Sequence, residues 1–463
     1  MSSRSRRITL VTAAVSATVA MIAPPTAASA AVPDPAAQPG AQRSVIRTAD
    51  DLYTAPGVTP QAVQRMQRQD VLLRAAERIR GKAAGGADTG LSGITIDPDK
   101  GALQLFWRGA LPAAVSEAVS GARAQGVAVS VRQAPYTERQ LLAEIDRMAA
   151  ANAAAAKGSR YDLQLAPKPD GSGIWAGVSG LAAGASATVA RRLAAALGTP
   201  VALEVEAAGT FAFSHRWYDT TPYWGGAYIE RGATACSDAF GVTGNNGAAT
   251  YLLTAAHCGE GTWQSGGVSD PSIPGSVFHV TYGSTIPAGR APQHDAQLIL
   301  TPGGAGNGVY WGASINPPTS LGSNSGVTIG STENNVVGAF VCNSGSYSGT
   351  ICNIRIELAK VTFSFDQPEN GVQHMNNMSL GVKQLDSSGI TAANGNGDSG
   401  GPILSVVSNR GRAYGVISGM YTGGGWDAPC VGYRPSGRRC SRSVWFGDIR
   451  TILSAVGARM NTG

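Results

Sequence analysis

The sequence predicts a chain in two parts: an α+β N-terminal half carrying two β–β–α–β units, then an all-β half of sandwich or barrel type. Three observations carry this expectation. From about residue 225 the chain is a succession of short β-prone runs separated by Gly, Asn, Ser and Pro, the pattern of a sandwich or barrel. Before that point, strand, turn, strand, helix and strand signals come twice in the same order. Charged residues are sparse at 14% while Gly, Ala, Ser and Thr are abundant, which suits a β-rich extracellular protein better than a helical cytosolic one. At 463 residues the chain exceeds a single typical core, so two or three domains are expected.

At the N-terminus, Arg4, Arg6 and Arg7 precede the apolar run ITLVTAAVSATVAMIA, and Ala28-Ser29-Ala30 offers a small-x-small cleavage site. Residues 1–30 therefore read as a signal peptide. The run is short, Ala-rich and followed at once by Pro24-Pro25, which argues against a membrane anchor. Thr9 stands where a twin-arginine signal wants a large apolar residue, so the general secretory route is favoured. No later stretch is long and apolar enough to span a bilayer, and no stable membrane anchor is expected.

After a Pro/Ala linker at 31–45, Leu72, Ala75, Ala76 and Ile79 recur at helix spacing. Beyond the Gly-rich break GKAAGGADTG, ITIDPDKGALQLFWRG reads as two strands around a turn, PAAVSEAVSGARAQG as a helix and VAVSVRQA as a strand. The order returns in YDLQLAPKPDGSGIWAGVSG, ATVARRLAAALG and VALEVEA. Leu141, Leu142, Ile145 and Met148 mark an amphipathic helix between the copies. Residues 1–210 hold 22 of the 36 Lys and Arg and 16 of the 30 Asp and Glu, so the net charge of +6 belongs to this half and residues 211–463 are neutral. The charge reads as a solvated basic surface, since no nucleic-acid motif accompanies it. This half has no His and no Cys, which leaves it a folding, inhibitory or binding role.

All six cysteines lie in the neutral half, and an even count in a secreted protein reads as three disulfides, each worth about 2–4 kcal/mol. Fifteen pairings are possible; spacing favours nearest neighbours, Cys236–Cys258, Cys342–Cys352 and Cys430–Cys440. No Cys/His spacing argues for a metal site.

Chemistry is concentrated in GDSGGP, where Ser399 is either a nucleophile or the hydroxyl of a glycine-rich turn. A serine hydroxyl needs a base, a group to orient the base, and donors for the oxyanion it creates. Of five histidines (His215, His257, His279, His294 and His374), only His257 sits in a marked context, YLLTAAHCGEG, where Cys258 can tie a strand end to Cys236. The other four read as surface or locally bonded side chains. Asp295 in HDAQLIL enters an apolar strand, where a carboxylate can be buried against the imidazole; Asp270, its rival, lies in a loop beside a proline. Gly397, Gly400 and Gly401 leave room for a turn in which the Gly397 and Ser399 amides face one spot. Asp398 is expected to be buried against amides or a cation and to hold that turn open.

TAAHC, DAQLI and GDSGGP in this order resemble the trypsin/chymotrypsin-like serine proteases, within them the secreted bacterial streptogrisin and α-lytic-protease-like branch. VCNSGSYSGTIC resembles its short disulfide loop, YWGGAYI with ACSDAFGV its mature N-terminus, and AYGVISGM the strand lining its substrate cleft. The duplicated N-terminal segment also has a counterpart there. The resemblance covers roughly residues 225–460 at its motifs and is looser over 45–210. It implies two six-stranded antiparallel β-barrels, about 225–312 and 313–463, with a C-terminal helix bearing Ile449, Ile452, Leu453 and Val456 closing the second. It further implies a prosegment over 31–210 and a serine endopeptidase over 211–463, made as a zymogen. His257 would be the base, Asp295 its orienter, Ser399 the nucleophile, and the Gly397 and Ser399 amides the oxyanion donors, with no cofactor.

The sequence departs from the pattern twice. Ala393 stands six residues before the serine, where enzymes cleaving after Arg or Lys carry Asp, so apolar or small P1 residues are expected, near Ala393, Asn394, Ser418 and Gly419. The branch's cysteine shortly before GDSGGP is missing, which leaves the shape of the pocket rim open. Expected partners are polypeptide substrates and the chain's own prosegment, as folding aid or inhibitor, with a monomer after processing. The competing reading is an inactive protease-like secreted binding protein, against which the presence of all three residues weighs. An esterase with a G-x-S-x-G elbow fits neither GDSGGP nor the β-rich pattern.

Overall fold

Thr59 opens the first helix, α1 (Pro60–Ala83), by accepting the Ala62 amide on its hydroxyl at 3.2 Å, with Pro60 next, where its missing N–H costs nothing. The helix buries Ala62, Val63, Met66, Gln69, Leu72, Leu73, Ala76 and Ile79 along one side. In this computed structural model the described residues are 44–45, 57–83, 90–155, 161, 163–179, 181, 184–208, 210–212, 219, 221–232, 234–247, 249–265, 280–314, 325–367, 371–408, 410–422 and 427–463. The expected signal peptide, nearly all of the linker, His215, His279 and Asp270 lie outside them.

Two β–β–α–β units follow α1. In the first, Leu91–Asp97 runs antiparallel to Ala102–Trp107 across a turn in which Gly101 takes a φ of 61°. α2 (Ala113–Ala124) then returns the chain so that Ala128–Gln133 pairs parallel to Ala102–Trp107. α3 (Glu138–Ala154) links the units and starts from a capping box between Thr137 and Gln140. The second unit repeats the pairings: Leu163–Pro167 antiparallel to Gly173–Ser179, α4 (Ser186–Ala194), and Ala202–Ala208 parallel to Gly173–Ser179. The copies differ in what they do next. The first keeps its own three-stranded sheet, whereas Leu163–Pro167 also pairs with Thr362, Phe363 and Ser364 of the long strand Gly349–Gln367.

The chain is mostly β-sheet with few helices. Among the described residues, an eight-stranded sheet runs in the order Thr234–Ser237, Tyr228–Arg231, Thr262–Ser265, Val280–Ala291, Ala296–Leu300, Thr250–Thr254, Gly241–Gly244 and Ala458–Met460. Within the larger sheet, Phe340–Gly345, Gly349–Gln367, Gly371–Lys383, Ser443–Asp448, Arg410–Thr422 and Pro402–Val407 pair antiparallel in a circuit that returns to Phe340–Gly345. Closure removes the free edges an open sheet would expose. α5 (Ile449–Ala455), capped by the Asp448 carboxylate on the Thr451 amide at 2.9 Å, buries Ile449, Ile452 and Leu453 and leads to Ala458–Met460 on the eight-stranded sheet. The three disulfides join Cys236 to Cys258, Cys342 to Cys352 and Cys430 to Cys440.

The core does not stop between the halves, and residues 43–463 form one compact unit. Leu72, Ile79, Ile94 and Leu103 share a buried cluster with Ile354, Ile403, Tyr414, Ile417 and Phe446 of the closed circuit. Gln69 is the polar exception on this face of α1. Its side-chain amide donates to the Phe340 carbonyl at 2.8 Å and its carbonyl accepts the Phe340 amide at 2.6 Å. Pro402–Val407 meets this strand only at Cys342 and Asn343, so Gln69 supplies the pairing that a neighbouring strand would otherwise give. Around it, Asp70 pairs with Arg412, Glu77 with Arg450 at 2.6 Å, and Glu138 with Lys360 at 2.7 Å.

Gln69→Ala leaves two buried backbone groups of Phe340 unpaired, each worth about 1–3 kcal/mol. In urea titration of the full chain, the unfolding midpoint is expected to fall clearly; an unchanged midpoint would show that this pairing contributes nothing.

Candidate active site

His257 follows the strand Thr250–Thr254 on a single 3₁₀ turn, Ala256–Cys258, pinned at three points. Cys258 is bonded to Cys236. The Thr254 hydroxyl donates to the Ser237 carbonyl at 2.7 Å. Gln297 donates from one amide nitrogen to the carbonyls of Ala255 at 3.0 Å and Gly259 at 2.9 Å, clasping the turn on both sides of the histidine. Gln297 has no assigned role in the sequence; it stands in the strand Ala296–Leu300 that follows Asp295.

Asp295 ends the 3₁₀ turn Pro292–His294 in the left-handed region, with a φ of 48° that Asp tolerates better than most residues. It is 2% exposed. One carboxylate oxygen accepts the His257 backbone amide at 2.9 Å and the other meets His257 Nδ1 at 2.6 Å. A carboxylate only accepts, so Nδ1 carries the proton, and in the neutral ring Nε2 is then the acceptor. Nε2 stands 3.0 Å from the Ser399 hydroxyl, which can donate to it.

The turn that presents Ser399 is held through its carbonyls. The Ser399 carbonyl accepts the Ser237 amide at 2.6 Å, and the Gly397 carbonyl accepts the Ser346 hydroxyl at 3.1 Å. Gly397 and Gly400 take φ values of 120° and 78°, and the Gly400 amide reaches the Ile417 carbonyl at 2.7 Å. Among the described residues, no acceptor stands within hydrogen-bond reach of the Gly397 and Ser399 amides. Asp398 is fully buried. One of its oxygens accepts the amides of Tyr347 at 3.1 Å and Ser348 at 3.0 Å. The other accepts the Gly395 amide at 3.0 Å and the Ser348 hydroxyl at 2.5 Å.

Four further positions were expected near the site. Ala393, Asn394 and Ser418 are fully buried, and the Asn394 amide donates to the Gly419 carbonyl at 3.1 Å. Ile417, the residue before Ser418, pairs with Gly400 and Gly401, which sets this stretch beside the serine turn. His294 and His374 take no part: His294 Nδ1 meets the Asn376 carbonyl at 3.0 Å, and His374 pairs with Ser364 along a strand. Cys236, His257 and Cys258 come close enough to suggest a metal site, but the two sulfurs are bonded to each other and are not thiolate ligands.

Among solved structures, the chain is similar to bacterial chymotrypsin-like serine proteases. With Thermobifida fusca protease A it shares 24% identity over 52% of this chain and 98% of that chain, at a TM-score of 0.32. For a Nocardiopsis protease the figures are 20%, 52%, 98% and 0.32. For a Cellulomonas bogoriensis chymotrypsin they are 23%, 52%, 98% and 0.29. No protein-family model matches the chain, and the search of curated proteins finds no match.

Gly400 has no room for a side chain: a Cβ would lie 2.1 Å from the Ser237 carbonyl oxygen and 2.3 Å from the Thr254 hydroxyl, at a φ that favours glycine. Gly400→Ala is expected to destabilise the chain by well over the roughly 1 kcal/mol that a positive φ alone costs. Thermal unfolding beside Gly121→Ala, an open helical site, measures it; equal melting temperatures would refute the packing described.

Proposed function

We propose that the chain is a secreted serine endopeptidase made as a zymogen, and the continuous contact Asp295–His257–Ser399 is the observation that carries this reading. The Ser399 oxygen attacks a peptide carbonyl while its proton passes to His257 Nε2. The imidazolium so formed is stabilised by Asp295, already bonded to Nδ1. The carbonyl oxygen becomes an oxyanion that the Gly397 and Ser399 amides can receive. When the tetrahedral species collapses, the C–N bond breaks, the leaving amine takes the Nε2 proton, and an acyl-enzyme remains. Water repeats the sequence: it loses a proton to Nε2 and attacks the ester, and Ser399 leaves with that proton. The chemistry requires no cofactor.

Residues 31–210 act in this reading as a prosegment and 211–463 as the protease, built from two barrels. Two features support a blocking role. Thr210–Ala212, at the junction of the two parts, pairs antiparallel with Met420, Tyr421 and Thr422, just beyond Ser418 and Gly419, and Ser399 has no exposed surface in the full chain. A folding role has a physical basis too, because sheets joined by distant strands fold slowly and a template lowers that barrier. The signal-peptide pattern and the three disulfides support export to an oxidising compartment. The processed enzyme would act on polypeptides as a monomer. Ala393, Asn394 and Ser418 bring no charge to the pocket side of the serine turn, which favours apolar or small P1 residues.

A fluorophosphonate probe is expected to label a processed species of about 25 kDa in the secreted wild type and nothing in Ser399→Ala. Absence of labelling in folded, processed protein would return the inactive binding protein to first place. Asp295→Asn, which removes the acceptor that sets the tautomer, should lower kcat by about 10⁴-fold. On a peptide panel, cleavage fastest after Arg or Lys would refute the P1 assignment.

A further inference from the structure

Asp398 needs more than amides, because it is a carboxylate with no exposed surface. Its cation comes from an unexpected place, the loop closed by Cys430–Cys440. Arg438, whose side chain is 2% exposed, has Nη2 3.7 Å from an Asp398 oxygen and donates at 2.7 Å to the Ser348 hydroxyl, which itself donates to Asp398. Its Nη1 donates to the carbonyls of Val431 at 2.5 Å and Tyr433 at 2.6 Å, and the guanidinium lies 5.3 Å from the Tyr347 ring. Its Nε donates to the Asn396 carbonyl at 2.9 Å. That last bond matters most. A trans peptide is planar, with its C=O and N–H pointing opposite ways. Fixing the Asn396 carbonyl therefore fixes the direction of the Gly397 N–H. The companion peptide is fixed the same way without a side chain: the Asp398 carbonyl accepts the Gly401 amide at 2.9 Å, which orients the Ser399 N–H.

We propose that Arg438 is a positioning residue for the oxyanion turn, acting through the Asn396 carbonyl and Asp398, and that the Cys430–Cys440 loop exists to hold it there. The inference rests on the reading of Ser399 as a nucleophile. The loop is fitted to the task along its length. Cys440 pairs with Gly395, where a Cβ would lie 2.1 Å from the Cys440 sulfur. The Asn396 amide reaches the Arg439 carbonyl at 2.7 Å and the Arg439 amide the Asn396 side chain at 2.8 Å. Among the described residues, no other Lys or Arg nitrogen lies within 4 Å of Asp398.

The test uses the full chain, secreted and processed, as wild type, Arg438→Gln, Arg438→Lys and a Cys430→Ser/Cys440→Ser double variant. Active-site-titrated enzyme gives kcat and KM on a peptide amide, and a peptidyl trifluoromethyl ketone, whose adduct carries an oxyanion, gives an inhibition constant. Arg438→Gln is expected to lower kcat and weaken the ketone by about 10²-fold each, the scale of a displacement near 1 Å, with KM within about threefold. Arg438→Lys restores charge but not the planar fork, so it should recover only part of the loss. The double variant, which keeps the arginine but frees its loop, should lose kcat in the same sense by a smaller factor. It decides the question if Arg438→Gln is not secreted. Unchanged kcat and ketone binding in the variants, or a rise in KM alone, would overturn the role. Wild type that fails to take the fluorophosphonate would instead remove the parent reading, so the two failures are distinguishable.

Discussion

Two buried carboxylates organise this molecule. Asp295 and Asp398 are 2% and 0% exposed, and a bare carboxylate in such a setting costs several kcal/mol unless its oxygens are met. Each solution doubles as positioning. Asp295 spends one oxygen on the backbone of the turn bearing His257 and the other on its ring, so burial of the charge and orientation of the imidazole are one event. Asp398 collects amides from 347, 348 and 395, and thereby draws the disulfide-closed segment Cys342–Cys352 and the start of the serine turn to one point.

The N-terminal half is built into that frame rather than hung from it. Leu163–Pro167 adds to the edge of Gly349–Gln367, and α1 presses Met66, Leu72 and Ile79 into cores shared with the closed circuit. The apolar area gives cohesion, while Gln69 gives register, since its carboxamide meets both the N–H and the C=O of Phe340 only in one setting of the helix. The two act differently: burial holds distant strands together, and polar contacts specify one alignment. Contacts of this range are slow to find unaided.

Much of this was legible in the sequence, and the exceptions share a cause. The mostly-β character shows in short runs broken by Gly, Asn and Pro, because turns demand those residues. The cysteine pairs follow from spacing, since nearest neighbours close the shortest loops. The residues in TAAHC, DAQLI and GDSGGP come together in space because each stands at a strand end or tight turn whose local chemistry is distinctive. Arg438 is different: within GRRC it reads like its neighbour Arg439, whose side chain is 60% exposed, yet it is buried. Gln69 and Gln297 are equally silent, because a carboxamide that bonds distant backbone leaves no periodic trace. Nor does a strand edge name its partner, and the pairing of Leu163–Pro167 with a strand some 200 residues on has no local signal.

The charges between the halves complete the picture. Burial alone would raise the Glu138 carboxyl, but Lys360 and Arg80 outweigh it and hold its pKa below the ordinary value. Lys360 is itself pushed below the usual lysine range by burial, with Glu138 opposing. The depressed carboxyl contributes cohesion that is present above its unfolded pKa and fades as pH falls through the folded one. The depressed ammonium works the other way: its cost to cohesion is full below its folded pKa and fades as pH rises from there to the unfolded pKa. The acids Asp70, Glu77 and Glu138 all come from the N-terminal half and their partners Arg412, Arg450 and Lys360 from the C-terminal half. Arg80 and Arg74 of the N-terminal half share Glu138 and Asp70 with these partners, and Glu333 of the C-terminal half shares Arg412, so the halves meet through a mixed network in which each buried charge has partners on both sides.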